Sequence, residues 1–175
     1  MPMTTQLLAL TFAVWAGWSD WRSRRIPNRM TVPALLMGIA VNAFFSGWTG
    51  VKFSLEGAGL ALAILLPVVI LRGLGAGDWK MMGALGAFVG PRGIVVILVF
   101  AIMIGGVMAI YAMIRQRRVI ETLKNLWILV TGFFIFGLRP NLKVSLDNPG
   151  LIKLPFGVAA AAATAFVLSA GYFVR

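Results

Sequence analysis

The sequence predicts an all-α fold, a polytopic membrane helix bundle of about six transmembrane helices, and three observations carry that reading. Of 175 residues, 60% are hydrophobic and only 12% are charged, where an ordinary soluble domain has about 25% charged residues. The apolar residues lie in runs long enough to cross a hydrocarbon core of about 30 Å. The basic residues, which give a net charge of +11, sit in short clusters between those runs, as in the cytoplasmic loops of membrane proteins.

The first span runs from about Met3 to Ser19. No basic residue precedes it and a basic cluster follows it, the reverse of a cleaved signal peptide, so it reads as a retained span. The second runs from Met30 to Trp48, with Pro33 in its first turn, where proline is tolerated, and the third from about Ser54 to Leu71. The glycine-rich stretch Arg72-Gly73-Leu74-Gly75-Ala76-Gly77-Asp78 follows as a loop. A fourth, shorter segment, Trp79 to Val89, ends at Gly90-Pro91-Arg92-Gly93, and a fifth, Ile94 to Ile114, meets the basic run at Arg115-Gln116-Arg117-Arg118. The last span is Leu154 to Val174, with Pro155 and Gly157 near its start, and its alanine run Ala159–Ala163 suits close helix packing.

Residues Asn125 to Leu138 are apolar but too short for an easy crossing, which takes about 20 residues. They read as an interfacial or re-entrant helix within a cytoplasmic loop, 115–153. Six spans with the N-terminus and the C-terminus outside leave Lys52, Arg92 and Arg175 outside, and thirteen of the sixteen Lys and Arg inside. A seventh span would leave eleven inside, so the positive-inside rule prefers six. The chain 1–175 then forms a single membrane-embedded domain.

Composition also excludes chemistry. There is no Cys and no His, which removes disulfides, thiolate or imidazole metal sites and every Ser-His or Cys-His mechanism. A Ser-Lys mechanism lacks support, because Ser23 lies in a basic loop and no Ser has a Lys at suggestive spacing. The positive charge is dispersed among loops rather than gathered as a nucleic-acid footprint. No nucleic acid, metal or cofactor is expected, and membrane lipid is the surrounding partner.

Carboxylates remain, and there are five Asp and Glu in all. Glu121 lies among basic residues and Asp147 in a turn-like Ser-Leu-Asp-Asn-Pro-Gly, so both read as solvated surface. Glu56, near the outer start of the third span, reads as interfacial. Asp20 follows the first span and Asp78 the third. Two crossings separate them, so they face the same side of the membrane in either orientation. Residues 79–90 make only about 18 Å of helix at 1.5 Å each, so if Pro91 reaches the outer interface, Asp78 lies below the inner one. Ionisable groups at that depth are costly and usually functional.

Gly73, Gly75 and Gly77 allow positive φ and close approach of another chain. Gly86 and Gly90, with Gly83 and Ala87, let the fourth helix pack tightly on its neighbours. Two carboxylates brought within hydrogen-bond reach share one proton, and the pair can then activate a water. Taken singly, Asp20 is equally well explained as a counter-charge to Arg22, Arg24 and Arg25, and Asp78 as a helix cap.

At these residues the chain resembles the type IV prepilin peptidases, which are membrane aspartic proteases with a Gly-x-Gly-Asp motif. Asp20-Trp-Arg-Ser-Arg-Arg-Ile-Pro-Asn28 resembles the family's first motif and Gly75-Ala-Gly-Asp78-Trp-Lys80 its second. Leu154-Pro155-Phe156-Gly157 resembles a Pro-Phe-Gly element near the family's C-terminus, with Val158 in place of the proline that often follows. The resemblance implies an endopeptidase of the cytoplasmic (inner) membrane. It would remove a short basic leader from a prepilin or pseudopilin precursor at the cytoplasmic face, with Asp20 and Asp78 catalytic and Gly75, Gly77, Lys80, Pro27 and Asn28 supporting.

Larger members of that family carry paired Cys motifs in an added N-terminal region and methylate the new N-terminus. With about nineteen residues before Asp20 and no Cys, methylation is not expected. The short form looks like the peptidases of Flp/Tad-type pili, and an archaeal leader peptidase would look similar. A small proton- or cation-coupled transporter using the same Asp residues is the alternative, with a non-catalytic assembly factor behind it.

Overall fold

The protein is described here by a computed structural model, which covers residues 1–117, 127 and 154–171. Four helices make up the described residues: α1 (Met3–Ser23), α2 (Asn28–Ile70), α3 (Ala76–Arg115) and α4 (Phe156–Ser169). Two of them are broken once. Gly47 in α2 has φ 58° and Gly90 in α3 has φ 71°, a left-handed backbone that costs glycine nothing.

At Gly47 the chain reverses. Asn42 Nδ2 donates to Ser54 Oγ at 2.9 Å, although twelve residues of straight helix would separate them by about 18 Å. A Cβ on Gly50 would run into the backbone carbonyl of Asn42, so the two arms of α2 touch backbone to backbone. The first arm of α3 then threads between them. Its Gly83 faces Leu62, its Gly86 meets the Gly57 backbone and its Gly90 meets the Phe53 ring, so it runs antiparallel to the second arm of α2. Gly38 of the first arm packs on Ala87 and Phe88 from the other side.

This central arm is buried on all faces from Met81 to Gly90, as an all-round apolar helix must be. Phe12 of α1 lies on Phe88, with ring centroids 6.4 Å apart. The second arm of α3 returns beside α4, since Phe100 pairs with Phe166 (4.9 Å) while Gly105 faces Ala159. α4 in turn packs antiparallel on α1, where Ala161 fills the space over Gly17.

The described residues therefore form six helical arms with a polar end, where α1 finishes and α2, α3 and α4 begin, and a far end at Gly47 and Gly90. The start of α1 and the end of α4 share the far end. Small residues line the contacts, with Ala9, Ala13, Ala16, Ala61, Ala84 and Ala160 fully enclosed, while Trp15, Leu36, Ile102, Met103, Val107 and Ile110 face outward. Backbones brought close by small residues and an outer coat of large apolar side chains are the pattern of a bundle that packs in lipid. α2 and α3 are each long and apolar enough to cross a membrane.

All six apolar runs expected to be spans are helical where described, and their bounds differ by a few residues. α2 resumes directly after Gly47, not at Ser54, because a single left-handed glycine suffices to reverse it. α3 begins at Ala76, inside the stretch read as a loop, and Asp78 lies in its first turn, near a helix N-terminus as expected. The loop glycines are also corrected: Gly73, Gly75 and Gly77 do not have positive φ, and the left-handed residue there is Arg72, at φ 56°. Segment 125–138 apart from Trp127, most of 115–153, Glu121 and Asp147 lie outside the described residues.

Candidate active site

Asp20 occupies the last turn of α1 and is 6% exposed. Its Oδ2 accepts the Gly157 N–H at 2.8 Å. α4 starts at Phe156, so that N–H is one of the first-turn donors that no helix can satisfy internally. Asp20 thus caps α4 from another element, at the positive end of its dipole. Pro155, with φ −76°, presets the chain for helix entry at no cost in hydrogen bonding. Glycine is required at 157, because a Cβ there would lie 2.9 Å from both Cβ and Oδ2 of Asp20.

After Asp20 the chain turns back sharply. Arg24 adopts φ 52° and closes α1 by donating its N–H to the Asp20 carbonyl at 2.8 Å. The hydroxyls of Ser19 and Ser23 both donate to the Arg25 carbonyl, at 3.0 and 3.1 Å. Ile26 is thereby laid on the start of α3, where a Cβ on Gly77 would approach its carbonyl oxygen to 3.1 Å. Pro27 then starts α2 from an extended conformation.

Asp78 stands in the first turn of α3. Its Oδ1 is buried and has no hydrogen-bond partner among the described residues, and a Cβ on Gly75 would lie 3.1 Å from its Oδ2. Two flanking side chains fix this helix start. The Trp79 indole N–H donates to the Leu62 carbonyl at 2.8 Å, and Lys80 Nζ donates to Asn28 Oδ1 at 2.9 Å. The second bond ties the start of α3 to the start of α2.

Asp20 and Asp78 line one cavity of about 460 Å³, together with Arg24, Arg25, Ile26, Pro27, Asn28, Gly75, Ala76 and Gly77. Every expected site residue except Lys80 is on its wall, and Lys80 holds one that is. Gly157 and the guanidinium-bearing Arg24 and Arg25 were not expected in these roles. Pro155-Phe156-Gly157 was the only signal for the first, and for the arginines the sequence shows nothing beyond a basic cluster. Among the described residues no group of three or more His, Cys, Asp or Glu is placed to hold a metal. The cavity wall thus brings together two carboxylates, two arginines and backbone amides.

Apolar helices long enough to cross a bilayer, with two carboxylates on one cavity at the end of the bundle, define a helical membrane protein with a paired-carboxylate site. The chain belongs to the type IV leader peptidase family, whose model matches residues 7–110, a stretch that includes both Asp20 and Asp78. It is similar to the prepilin leader peptidase/N-methyltransferase of Escherichia coli K12, with 31% identity over 130 residues, 70% of this chain and 58% of that protein. It is also similar to proteins of the same name from Xanthomonas campestris pv. campestris (30% identity, 51% of this chain, 33% of the relative) and Pseudomonas putida (27%, 67% and 41%). The chain therefore spans about a third to three fifths of the relatives it matches. No solved structure matches it.

Proposed function

We propose that the chain is a membrane-embedded aspartic endopeptidase that removes the basic leader of prepilin-like or pseudopilin-like precursors at the cytoplasmic face of the cell's inner membrane. The observation that carries this reading is the shared cavity: Asp20 and Asp78 come from helices far apart in sequence and line one polar recess. Membership of the type IV leader peptidase family supports the substrate class.

In this reading the six arms are six crossings, with both termini outside and the Asp end inside. The first arm of α3, 76–89, and α4, 156–169, are each only about 21 Å long, against a hydrocarbon core of about 30 Å. Helices that short start below the surface, so the recess between them admits an extended peptide and water at a depth lipid would otherwise occupy. The two carboxylates share one proton. The ionised member takes a proton from water as the oxygen attacks the scissile carbonyl, and the protonated member donates to the carbonyl oxygen. Collapse of the tetrahedral adduct breaks the C–N bond, and the departing amine takes up the proton first abstracted from water.

Gly75, Gly77, Lys80, Pro27 and Asn28 act by holding Asp78 against Asp20, and the Gly157 amide by fixing the Asp20 rotamer. The test is direct. Purified protein in detergent is mixed with candidate prepilins and with the same pilins lacking a leader, and new N-termini are read by mass spectrometry. Cleavage between leader and apolar helix is expected; a protein that cuts none of a broad precursor panel, while its helices remain folded, contradicts the proposal.

A further inference from the structure

Arg24 and Arg25 stand on the wall of the catalytic recess but have no part in the chemistry of the carboxylate pair. Among the described residues the charged groups on that wall are Asp20, Asp78 and these two arginines. The pair with its shared proton carries one negative charge, and Arg24 lies close enough to Asp20 for its charge to act there. That balance leaves Arg25. It is exposed, and among the described residues no ion pair is found for it. Lys80, off the wall, is engaged with Asn28.

The backbone of Arg25 is fixed from both sides. The Ser19 and Ser23 hydroxyls both donate to its carbonyl, and the next residue, Ile26, is buried against Gly77. Ahead of it Arg24 holds φ 52°, a left-handed conformation that favours glycine. A cation set so firmly at the recess does not serve to hold a basic leader, since like charges facing each other across an interface are costly. The reaction itself supplies an anion. Attack by water forms a C–O bond and breaks the C–N bond, and the proton passes to the departing amine. The mature chain then begins with an ammonium, the leader ends in a carboxylate, and the Asp pair again holds one proton. That carboxylate forms beside the negative charge of the pair, on the wall where Arg25 stands uncompensated.

We propose that Arg25 binds the new C-terminal carboxylate of the cleaved leader. The planar guanidinium matches a carboxylate with two parallel hydrogen bonds, so it draws the product off the Asp pair and leaves the pair open to the next water. This product site rests on the peptidase reading and adds to it a ligand class, a peptide α-carboxylate.

The test uses the full chain in detergent and a precursor it cleaves. The released leader is synthesised twice, once with a free C-terminal carboxylate and once as the C-terminal amide, and each is added as an inhibitor of cleavage. The two peptides share everything else, so the ratio of their inhibition constants reports the carboxylate alone. For wild type the free acid is expected to inhibit about tenfold more strongly, the size of effect that charge-assisted hydrogen bonds supply. Arg25→Gln should bring the two constants together, and Arg25→Lys, which keeps the charge without the planar fork, should keep part of the preference. Ser19→Ala with Ser23→Ala, which releases the Arg25 carbonyl, should reduce it. Circular dichroism checks that each variant keeps its helices. Equal inhibition by acid and amide in wild type, or a preference that survives in Arg25→Gln, would overturn the product site and leave the peptidase reading intact. A chain that cuts none of the precursor panel overturns that reading and the product site with it.

Discussion

Asp20 is held by a backbone amide, so the residue that supplies the amide is as exposed to substitution as the carboxylate itself. Gly157→Ala places a methyl group 2.9 Å from Asp20 Cβ and Oδ2, and the Cβ cannot yield without a shift of the α1 backbone. Precursor cleavage is expected to fall about tenfold to a hundredfold, since sub-ångström misplacement of a catalytic group is enough for that. A drop in kcat with KM little changed is the signature to look for, because the substitution moves the carboxylate and leaves the rest of the recess intact. Lys80 and Asn28 offer a second residue-scale prediction. Their bond of 2.9 Å joins two helix starts, so Lys80→Ala and Asn28→Ala should each reduce cleavage severalfold, and the double variant should be little worse than either single one. Additive losses would mean that the two side chains act separately. That Asp20 and Asp78 share one end was legible in the sequence, because each follows an apolar span and two crossings separate them; their proposed catalytic role rests on the family resemblance. Gly157 as a positioning residue was not, because the need for glycine there arises from a contact across 137 positions.

At the scale of the helix, glycine does opposite things in nearby places. Gly86 touches the Gly57 backbone, and this contact brings the first arm of α3 against α2 and sets the height of Asp78. Gly86→Leu is expected to destabilise the bundle by about 1–3 kcal/mol or more, as overpacking a close contact does, measured by denaturant unfolding in detergent micelles. Gly59 is also helical but meets nothing within 4 Å, so Gly59→Ala should be neutral or stabilising by up to about 1 kcal/mol. Equal losses at the two positions would contradict the packing described. The apolar runs announced these helices, yet hydropathy did not mark where α2 turns. Helical hydrogen bonding resumes directly beyond Gly47, so the sequence on both sides reads as apolar helix and only the φ of one residue records the reversal. The same limit moved the start of α3 back to Ala76, since Gly-Ala-Gly ahead of Asp78 has the composition of a loop and the geometry of a first turn.

For the whole molecule, the six described arms carry both carboxylates to one end. Span counting from the sequence already put Asp20 and Asp78 on one side. It could not show that α1, α2, α3 and α4 also meet there, because that follows from the Asp20–Gly157, Ile26–Gly77 and Lys80–Asn28 contacts, which join residues 51 or more positions apart. The absence of cysteine makes the topology readily testable. Single cysteines at Thr49 and at Arg25 should react with a membrane-impermeant maleimide from opposite sides, Thr49→Cys in intact cells and Arg25→Cys only after permeabilisation. Labelling of both from one side would contradict six crossings. In the proposed reaction Asp20 and Asp78 act as one catalytic unit, and co-expression with a prepilin is the decisive experiment. With wild type the pilin N-terminus, read by mass spectrometry, should be the mature one. With Asp20→Asn or Asp78→Asn the leader should remain, each single change being as complete in effect as the two together, and leader removal that survives either substitution would contradict the account.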